Sequence, residues 1–499
     1  MADYTREEVE EKLAEYAQTL ASAADEESVE ETEEETELVS EEEVEEEPGE
    51  LDQEGEEEEQ EEEQEEEIFS FKGSDLAGLD LSDLNFYGID LSGANLSGTN
   101  LARAELNGST LESANLNGAI LNEVNLSEAD LTRANLKEAS LEGANLQEAV
   151  LNGCNLSRAN LDGTNLRLAK FVDANLSGAN LDRADFARAD FSKAKLPGAR
   201  ITNAELLRAK FSGADFSNAD MTDSKLSMGV YYEANFNGTI LNRAQIKGAK
   251  LTGAKFNETR LVRADLTSAD LTEATIVNSD LKWAKFNGAI LRRIHLRESD
   301  FSEANLNIAD LTGADLDHIK LIGADMGRIK LQGAKLKHSQ LTGSNLTRAK
   351  LPKVELVGAD LSGGILLSAD FKGANLEGAD LSRSNLCEAI LEGANLKNAF
   401  LIGADIRNTN LRGANLEGAA LAGTKLCKSN LSKAKLKGVD LRRADLEQAD
   451  LNQADLEGAN LTGAKLADAL FQKTNLTNAD FTGADITDTD FSGAKNPPS

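Results

Sequence analysis

The 499-residue sequence holds only three cysteines, three histidines, five prolines and one tryptophan. Cys154, Cys387 and Cys427 are too scattered for a disulfide framework and form no CxxC pair, which suits a reducing compartment. No run of about 18 apolar residues is present, so no membrane-spanning helix is expected. The opening "MADYTREEVEEKLAEYAQTL" lacks the basic start and apolar core of a secretory signal, and a cytoplasmic location is expected. No phosphate-cradling loop and no nucleophile–base arrangement stands out, so neither an enzymatic activity nor a cofactor is expected.

Charge is abundant but unevenly placed. The net −37 divides into 34 acids and 2 bases within residues 1–70, against 54 acids and 49 bases in residues 71–499. Nearly all the acidity therefore belongs to the first segment. Within it, residues 1–24 are expected to form a short amphipathic helix: Thr5 and Glu8 make a capping box, and Val9, Leu13, Tyr16 and Leu20 share one face. Residues 25–67, with "EEEEQEEEQEEE", hold too few apolar groups to bury anything and read as a disordered, self-repelling linker.

From Phe71 to Phe491 every fifth residue is Leu, Phe, Ile, Met or Tyr, 85 times without a break in phase. With this large residue as i, position i−2 is mostly Ala, i−1 is mostly Asp, Asn or Lys, and 35 of the 40 glycines fall at i+2. A five-residue period gives no apolar face on a helix and sends alternate large residues to opposite faces of a strand. It works if each pentapeptide bends once, with i and i−2 inward. Position i+2 is then the third residue of a type II turn, which needs positive φ; Pro197-Gly198 is a pair that such a turn favours.

Aromatic residues at i recur every 20 residues, as Phe171, Phe191, Phe211 and Tyr231, and again as Phe216, Phe236 and Phe256. Twenty residues are four pentapeptides. The coil is therefore expected to be square, with these rings stacked and with Asn95, Asn115, Asn135, Asn155 and Asn175 in an amide ladder.

"ANLSG", "ADLTG", "ANLEG" and "ADFSG" match the signature A(D/N)LXX, and the chain resembles the pentapeptide-repeat family over residues 71–495. The resemblance implies an all-β fold, a right-handed quadrilateral parallel β-helix, here over 68–495 with about 21 coils and a 496–499 tail. At about 4.8 Å per coil the rod would be near 100 Å long. Family members are abundant in bacteria, and the best understood inhibit or protect DNA gyrase by imitating duplex DNA, as acidic rods paired through their C-terminal ends. This rod departs from them in being near neutral and free of loops. The expected function is that of a scaffold or protein-interaction rod, with DNA mimicry as the alternative. Protein partners are expected, and direct nucleic-acid binding is not.

Several residues break the uniformity. Trp283 shares its i+2 row with Arg243 and Arg263, a candidate cation–π stack and interaction surface. Arg328, Lys330, Arg348 and Lys350 gather four cations on one edge, with Asp310, Asp325 and Asp370 near enough to neutralise them. The acidic linker is expected to fold back on that edge, leaving the N-terminal helix free to dock elsewhere. His318 and His338 should stack, with Glu298 one coil earlier, but a straight row does not converge on a metal and none is expected. Leu79, Leu84 and Ile89, oversized at i−2, are expected to plug the first coil. The last coil has no such cap, and Phe481 and Phe491 are the candidate surface for an end-to-end homodimer.

Overall fold

Why Asp and Asn recur at i−1 becomes clear from the backbone hydrogen bonds of a computed structural model, which describes residues 2–34 and 69–498, with side chains omitted for 23–34. In every pentapeptide the chain turns between i and i+3. Ala94 N–H donates to the Leu91 carbonyl at 3.0 Å, closing the turn. The amide of i+1 is left over, and the i−1 side chain takes it: Ser92 N–H donates to Asp90 Oδ1 at 2.8 Å. Asp and Asn are the residues whose short side chains reach their own backbone two residues on. The amides of i, i+2 and i−1 cross to the adjacent coil, as in Leu96 to the Asn115 carbonyl at 2.7 Å, Gly98 to that of Asn117 at 3.0 Å, and Asn115 to that of Ala94 at 2.9 Å. Where i−1 is Asp or Asn, as at Asp90, all five amides of a repeat can thus find an acceptor, which a buried backbone requires.

The bridges make the register explicit. Each i−1 residue pairs in parallel with the residue 20 positions on, from Ser70 with Asp90 to Asn475 with Lys495. Four pentapeptides make one coil. The Leu, Phe and other i side chains meet on the axis and are fully buried up to Phe471, with the i−2 alanines beneath them. Phe171, Phe191, Phe211 and Tyr231 stack with centroids 4.3, 5.0 and 5.4 Å apart. Phe216, Phe236 and Phe256 repeat the arrangement at 5.0 and 4.8 Å. On the surface, Asn115, Asn135 and Asn155 each donate from Nδ2 to the Oδ1 of the asparagine one coil earlier, at 3.1, 2.9 and 3.1 Å.

The corners carry more strain than the glycine pattern suggests. All 85 of the i+2 residues have positive φ, and 50 of them are not glycine. Trp283 and Leu168 sit there with φ of 57° and 60°. A non-glycine residue in that region costs roughly 1–2 kcal/mol. The coil imposes the conformation because inter-coil bonds fix both flanks of each corner.

The N-terminal end differs most from expectation. Helix α1 runs from Arg6 to Glu34, ten residues beyond the expected end at 24. Glu and Ala are good helix formers and no proline or glycine occurs before Pro48. Residues 35–67 of the expected linker lie outside the described residues. Thr5 N–H donates to Glu8 Oε2 at 2.6 Å and Glu8 N–H to Thr5 Oγ1 at 3.3 Å, closing the capping box. This helix is not free to dock elsewhere. It covers the first coil: Val9 and Leu13 are buried against the core, Tyr4 meets Phe71 edge-on at 5.5 Å, and Tyr16 stacks on Phe69 at 5.6 Å.

Polar groups on the exposed edge of that coil are met as well. Asp3 N–H donates to the Asp75 carbonyl at 2.6 Å, and Arg6 donates to the Asp80 and Ser82 carbonyls at 3.1 and 3.3 Å. Leu79 and Leu84 remain half-buried, and only Ile89 is fully buried. The plug expected of them is completed by α1, because an open coil leaves unpaired backbone that side chains alone cannot satisfy. The C-terminal end has no such cover among the described residues, and Phe481, Ile486 and Phe491 are partly exposed.

One core position is locally over-specified. The Tyr231 hydroxyl is buried without a hydrogen-bond partner, and burial pushes its pKa up. Room for it exists because residue 229 is glycine; a Cβ there would lie 2.5 Å from the ring. Tyr231→Phe is expected to raise stability by about 1–2 kcal/mol by removing an unsatisfied polar group. Gly229→Ala is expected to lower it, and Tyr231→Phe to relieve little of that loss, because the ring carbon 2.5 Å from the added Cβ remains. Denaturant midpoints of the parent chain, the two single variants and the double variant check both expectations.

Candidate functional site

Among the i residues of the described chain the core holds a small, wholly apolar void, lined by Leu296, Phe301, Leu306, Leu316 and Met326 among others, with no polar group to do chemistry, so chemical individuality lies on the outward rows. Trp283 occupies a corner and is 48% exposed. The Arg263 guanidinium lies over its ring, 5.6 Å from the centroid, as the shared row implies. Arg243 does not join them. It is held one coil earlier by Asp223, with Nε to Oδ1 at 2.7 Å and Nη2 to Oδ2 at 2.5 Å. A carboxylate at the same row position offers two charge-assisted hydrogen bonds, which a ring two coils away cannot match.

Of the four-cation edge, only Lys330 has an ion pair among the described residues, 3.6 Å from Asp310. Asp310 also accepts from Arg292 at 3.0 and 2.9 Å and from Thr312 Oγ1 at 2.6 Å. Burial would raise the Asp310 carboxyl, but the Thr312 and Arg292 hydrogen bonds outweigh it and hold it below the usual range. Asp325 takes hydrogen bonds from Asn345 and Gly327, and Asp370 from the Lys372 amide, so neither neutralises the edge as expected. Arg328, Arg348 and Lys350 form no ion pair or side-chain hydrogen bond among the described residues.

His318 and His338 stack at 5.4 Å and 21°. Among the described residues no three His, Cys, Asp or Glu converge as a metal-binding group. Cys154 is buried in the core, where burial pushes its thiol up. Cys427 is pushed up to about 11 by burial and by Asp445. At the C-terminal end Phe481 and Phe491 meet edge-on at 6.0 Å, with Phe471 behind them.

Sequence reasoning missed two features. Phe400 and Ile402, each 49% exposed, stand at i−1 and i+1 of one repeat where polar residues are the rule. Their departure from the pattern was the available signal. The other is the Cys387–Asp405–Arg407 cluster. Arg407 grips Asp405 at 2.8 and 2.7 Å, and Cys387 Sγ lies 3.0 Å from Oδ1. It spans two coils, so only a square register reveals it.

Fourteen segments between residues 89 and 495 match a family model described as pentapeptide repeats (8 copies). The chain belongs to the pentapeptide-repeat family. Solved structures of other pentapeptide-repeat proteins are similar to parts of it. HetL, described as involved in heterocyst differentiation regulation in the cyanobacterium Nostoc sp. strain PCC 7120, is 33% identical over 45% of this chain and 88% of its own, with a TM-score of 0.19. Rfr23 from the cyanobacterium Cyanothece 51142 is 29% identical over 25% of this chain and 89% of its own, with a TM-score of 0.18. QnrB1, a plasmid-mediated fluoroquinolone resistance protein, is 22% identical over 36% of this chain and 89% of its own, with a TM-score of 0.25. No curated protein matches the sequence.

The Arg407 bidentate grip, with help from Cys387 against the opposing effect of burial, holds Asp405 down at about 2. An unfolded aspartate titrates near 3.9. Because the folded value is the lower one, the contribution is complete above about pH 4 and is lost as pH falls towards 2. Asp405→Asn is expected to lower the denaturant midpoint at pH 7, with the gap to the parent chain closing by pH 2. A gap that stays constant between pH 7 and 2 contradicts the assignment.

Proposed function

We propose that this pentapeptide-repeat chain is a non-enzymatic scaffold, a long rigid rod that presents surface residues to protein partners. The observation that carries the reading is the Arg263–Trp283 pair, an exposed cation–π stack on a corner with neither group buried against the chain itself. Trp and Arg are the side chains most often responsible for binding energy at interfaces. Arg328, Arg348, Lys350 and the Phe400–Ile402 patch add to a surface whose character changes from coil to coil while the core does not. Arg243, tied to Asp223, supports the neighbouring corner rather than the stack.

The alternative is a DNA mimic acting on gyrase or another DNA-binding protein. Mimicry needs rows of anions at phosphate-like spacing, whereas residues 71–499 carry 54 acids and 49 bases. A supercoiling assay separates the two: inhibition or protection of gyrase by the chain would favour mimicry over the scaffold reading.

Two chains are proposed to meet through their last coils. Phe481, Ile486 and Phe491 offer an apolar end face, and their amides donate to no other backbone group among the described residues. Light scattering at tens of micromolar is expected to give a dimer, and Phe481→Asp with Phe491→Asp a monomer. A monomer for the parent chain contradicts the proposal. For the rod's side, capture of partners by the parent chain is expected to fall at least about tenfold in Trp283→Ala, as for the loss of a residue that contributes more than about 1.4 kcal/mol.

A further inference from the structure

The four cations at 328–350 are the far end of something longer. On the corner rows that contain Arg328 and its i+1 neighbour, together with the adjoining i−1 row of Lys330, residues 167–350 carry eleven cations: Arg167, Lys170, Arg188, Arg208, Lys210, Lys247, Lys250, Arg328, Lys330, Arg348 and Lys350. Only three acids, Asp190, Asp270 and Asp310, share those rows over the same stretch. Before residue 167 the same rows hold no cation and four acids, Asp90, Glu128, Asp130 and Glu148. Beyond residue 350 they are again mainly acidic, from Asp370 to Asp490. A basic ridge in two parts, 167–250 and 328–350, parted by coils that carry no cation on these rows and hold Asp270 and Asp310, therefore lies between two acidic stretches along one corner of the rod.

Much of this charge is unmatched. Arg167 pairs with Asp185, Lys210 with Asp190, Lys247 with Asp265 and Lys330 with Asp310, at 3.1 to 3.8 Å. Lys170, Arg188, Arg208 and Lys250 are exposed and, like Arg328, Arg348 and Lys350, have no ion pair among the described residues. Exposed aliphatic residues fill the gaps: Leu168, Leu207, Met228 and Ile308. No aromatic residue stands on these rows between 167 and 350, so bases of a nucleic acid would find no stacking platform.

We propose that this ridge is a docking track for an extended acidic polypeptide, and that its occupant is the chain's own segment 35–67. That segment has 21 acids and no base, with Leu38, Val39, Val44 and Leu51 among them, matching the ridge in both charge and aliphatic content. It is held at both ends, by Glu34 of α1 and by Phe69 on the first coil. Leu20 of α1 stands beside Leu84, Asn85 and Tyr87, and Tyr87 lies on the same corner row as Arg167. The acidic first coils repel the segment, and the ridge begins about five coils away, or roughly 24 Å. Half of a 33-residue segment, fully extended, reaches roughly 55 Å from its anchors, so the near end from Arg167 to Lys250 is favoured over the 328–350 end, roughly 65 Å away. Tethering raises the local concentration to about the millimolar range, which suits many weak exposed ion pairs. The proposal does not rest on the scaffold reading: the Arg263–Trp283 corner that carries that reading lies on another row, and only Arg328, Arg348 and Lys350 are shared by the two.

Zero-length carbodiimide cross-linking of the full chain, read by peptide mass spectrometry, tests it. Links from Glu residues of 35–67 to Lys170, Lys210 and Lys250 are expected to exceed those to Lys195 and Lys255 at least about fivefold at low salt. The latter two stand at similar heights on another side, so reach alone predicts no difference. At about 0.5 M salt, where screening acts within roughly 4–5 Å, the excess should vanish. Reversing Arg188 and Arg208, as R188E and R208E, should lower it without touching a lysine that is read. Equal yields on both sides overturn the proposal, and so do links that form only between isotopically distinct chains, which would mark a second copy as the occupant. A labelled single-stranded oligonucleotide that binds the intact chain as tightly as one lacking 35–67 would show an open ridge and overturn it equally.

Discussion

Four large side chains enter each coil from four sides and meet on one axis, and they fill it but for a small apolar void between Leu296 and Leu331. Everything distinctive about the fold follows from this crowding. The wall residues at i−2 must be small, which is why alanine dominates there and why Tyr231 needs Gly229 beside it. The corner must reverse in two residues, which is why every i+2 residue takes positive φ whether or not it is glycine. Burying a leucine contributes roughly 1.5–3 kcal/mol, enough to carry the strain at a non-glycine corner.

A structure built this way is quasi-one-dimensional. Each coil touches only its neighbours, so stability accumulates by nearest-neighbour terms and the ends become the vulnerable points. The two ends are treated differently. At the start, α1 supplies both an apolar lid through Val9, Leu13 and Tyr16 and donors through Asp3 and Arg6 for the edge carbonyls. At the finish, partly exposed Phe481 and Phe491 leave an apolar face. Because the core is the same throughout, specificity has to reside on the outward rows, where the square register places residues 20 apart side by side.

The fold was legible because its determinant is local and repeated: period, phase and aromatic spacing together specify the bend and the four sides. The cap was less so. Leu79, Leu84 and Ile89 announce an end, but whether α1 would sit on it depends on long-range contacts such as Arg6 with Asp80, which no local pattern encodes. Among surface residues, rows predicted neighbours well where one interaction was available, as for Arg263 over Trp283. They failed where alternatives competed, as when Arg243 chose Asp223 over the ring. The basic ridge needs three rows read together over ten coils, and a search for short clusters sees only its 328–350 end.

The central claim is that residues 20 apart in sequence are stacked neighbours along one straight axis, throughout the chain. Pulsed electron–electron distance measurements test it directly, with spin labels on one corner row in a chain whose native cysteines are replaced. The pairs Lys353/Lys433, Arg293/Lys433 and Glu233/Lys433 are four, seven and ten coils apart. Separations of roughly 19, 34 and 48 Å are predicted, rising linearly by about 4.8 Å for every 20 residues. Separations that plateau, or that change order, would contradict the square register and with it the rod.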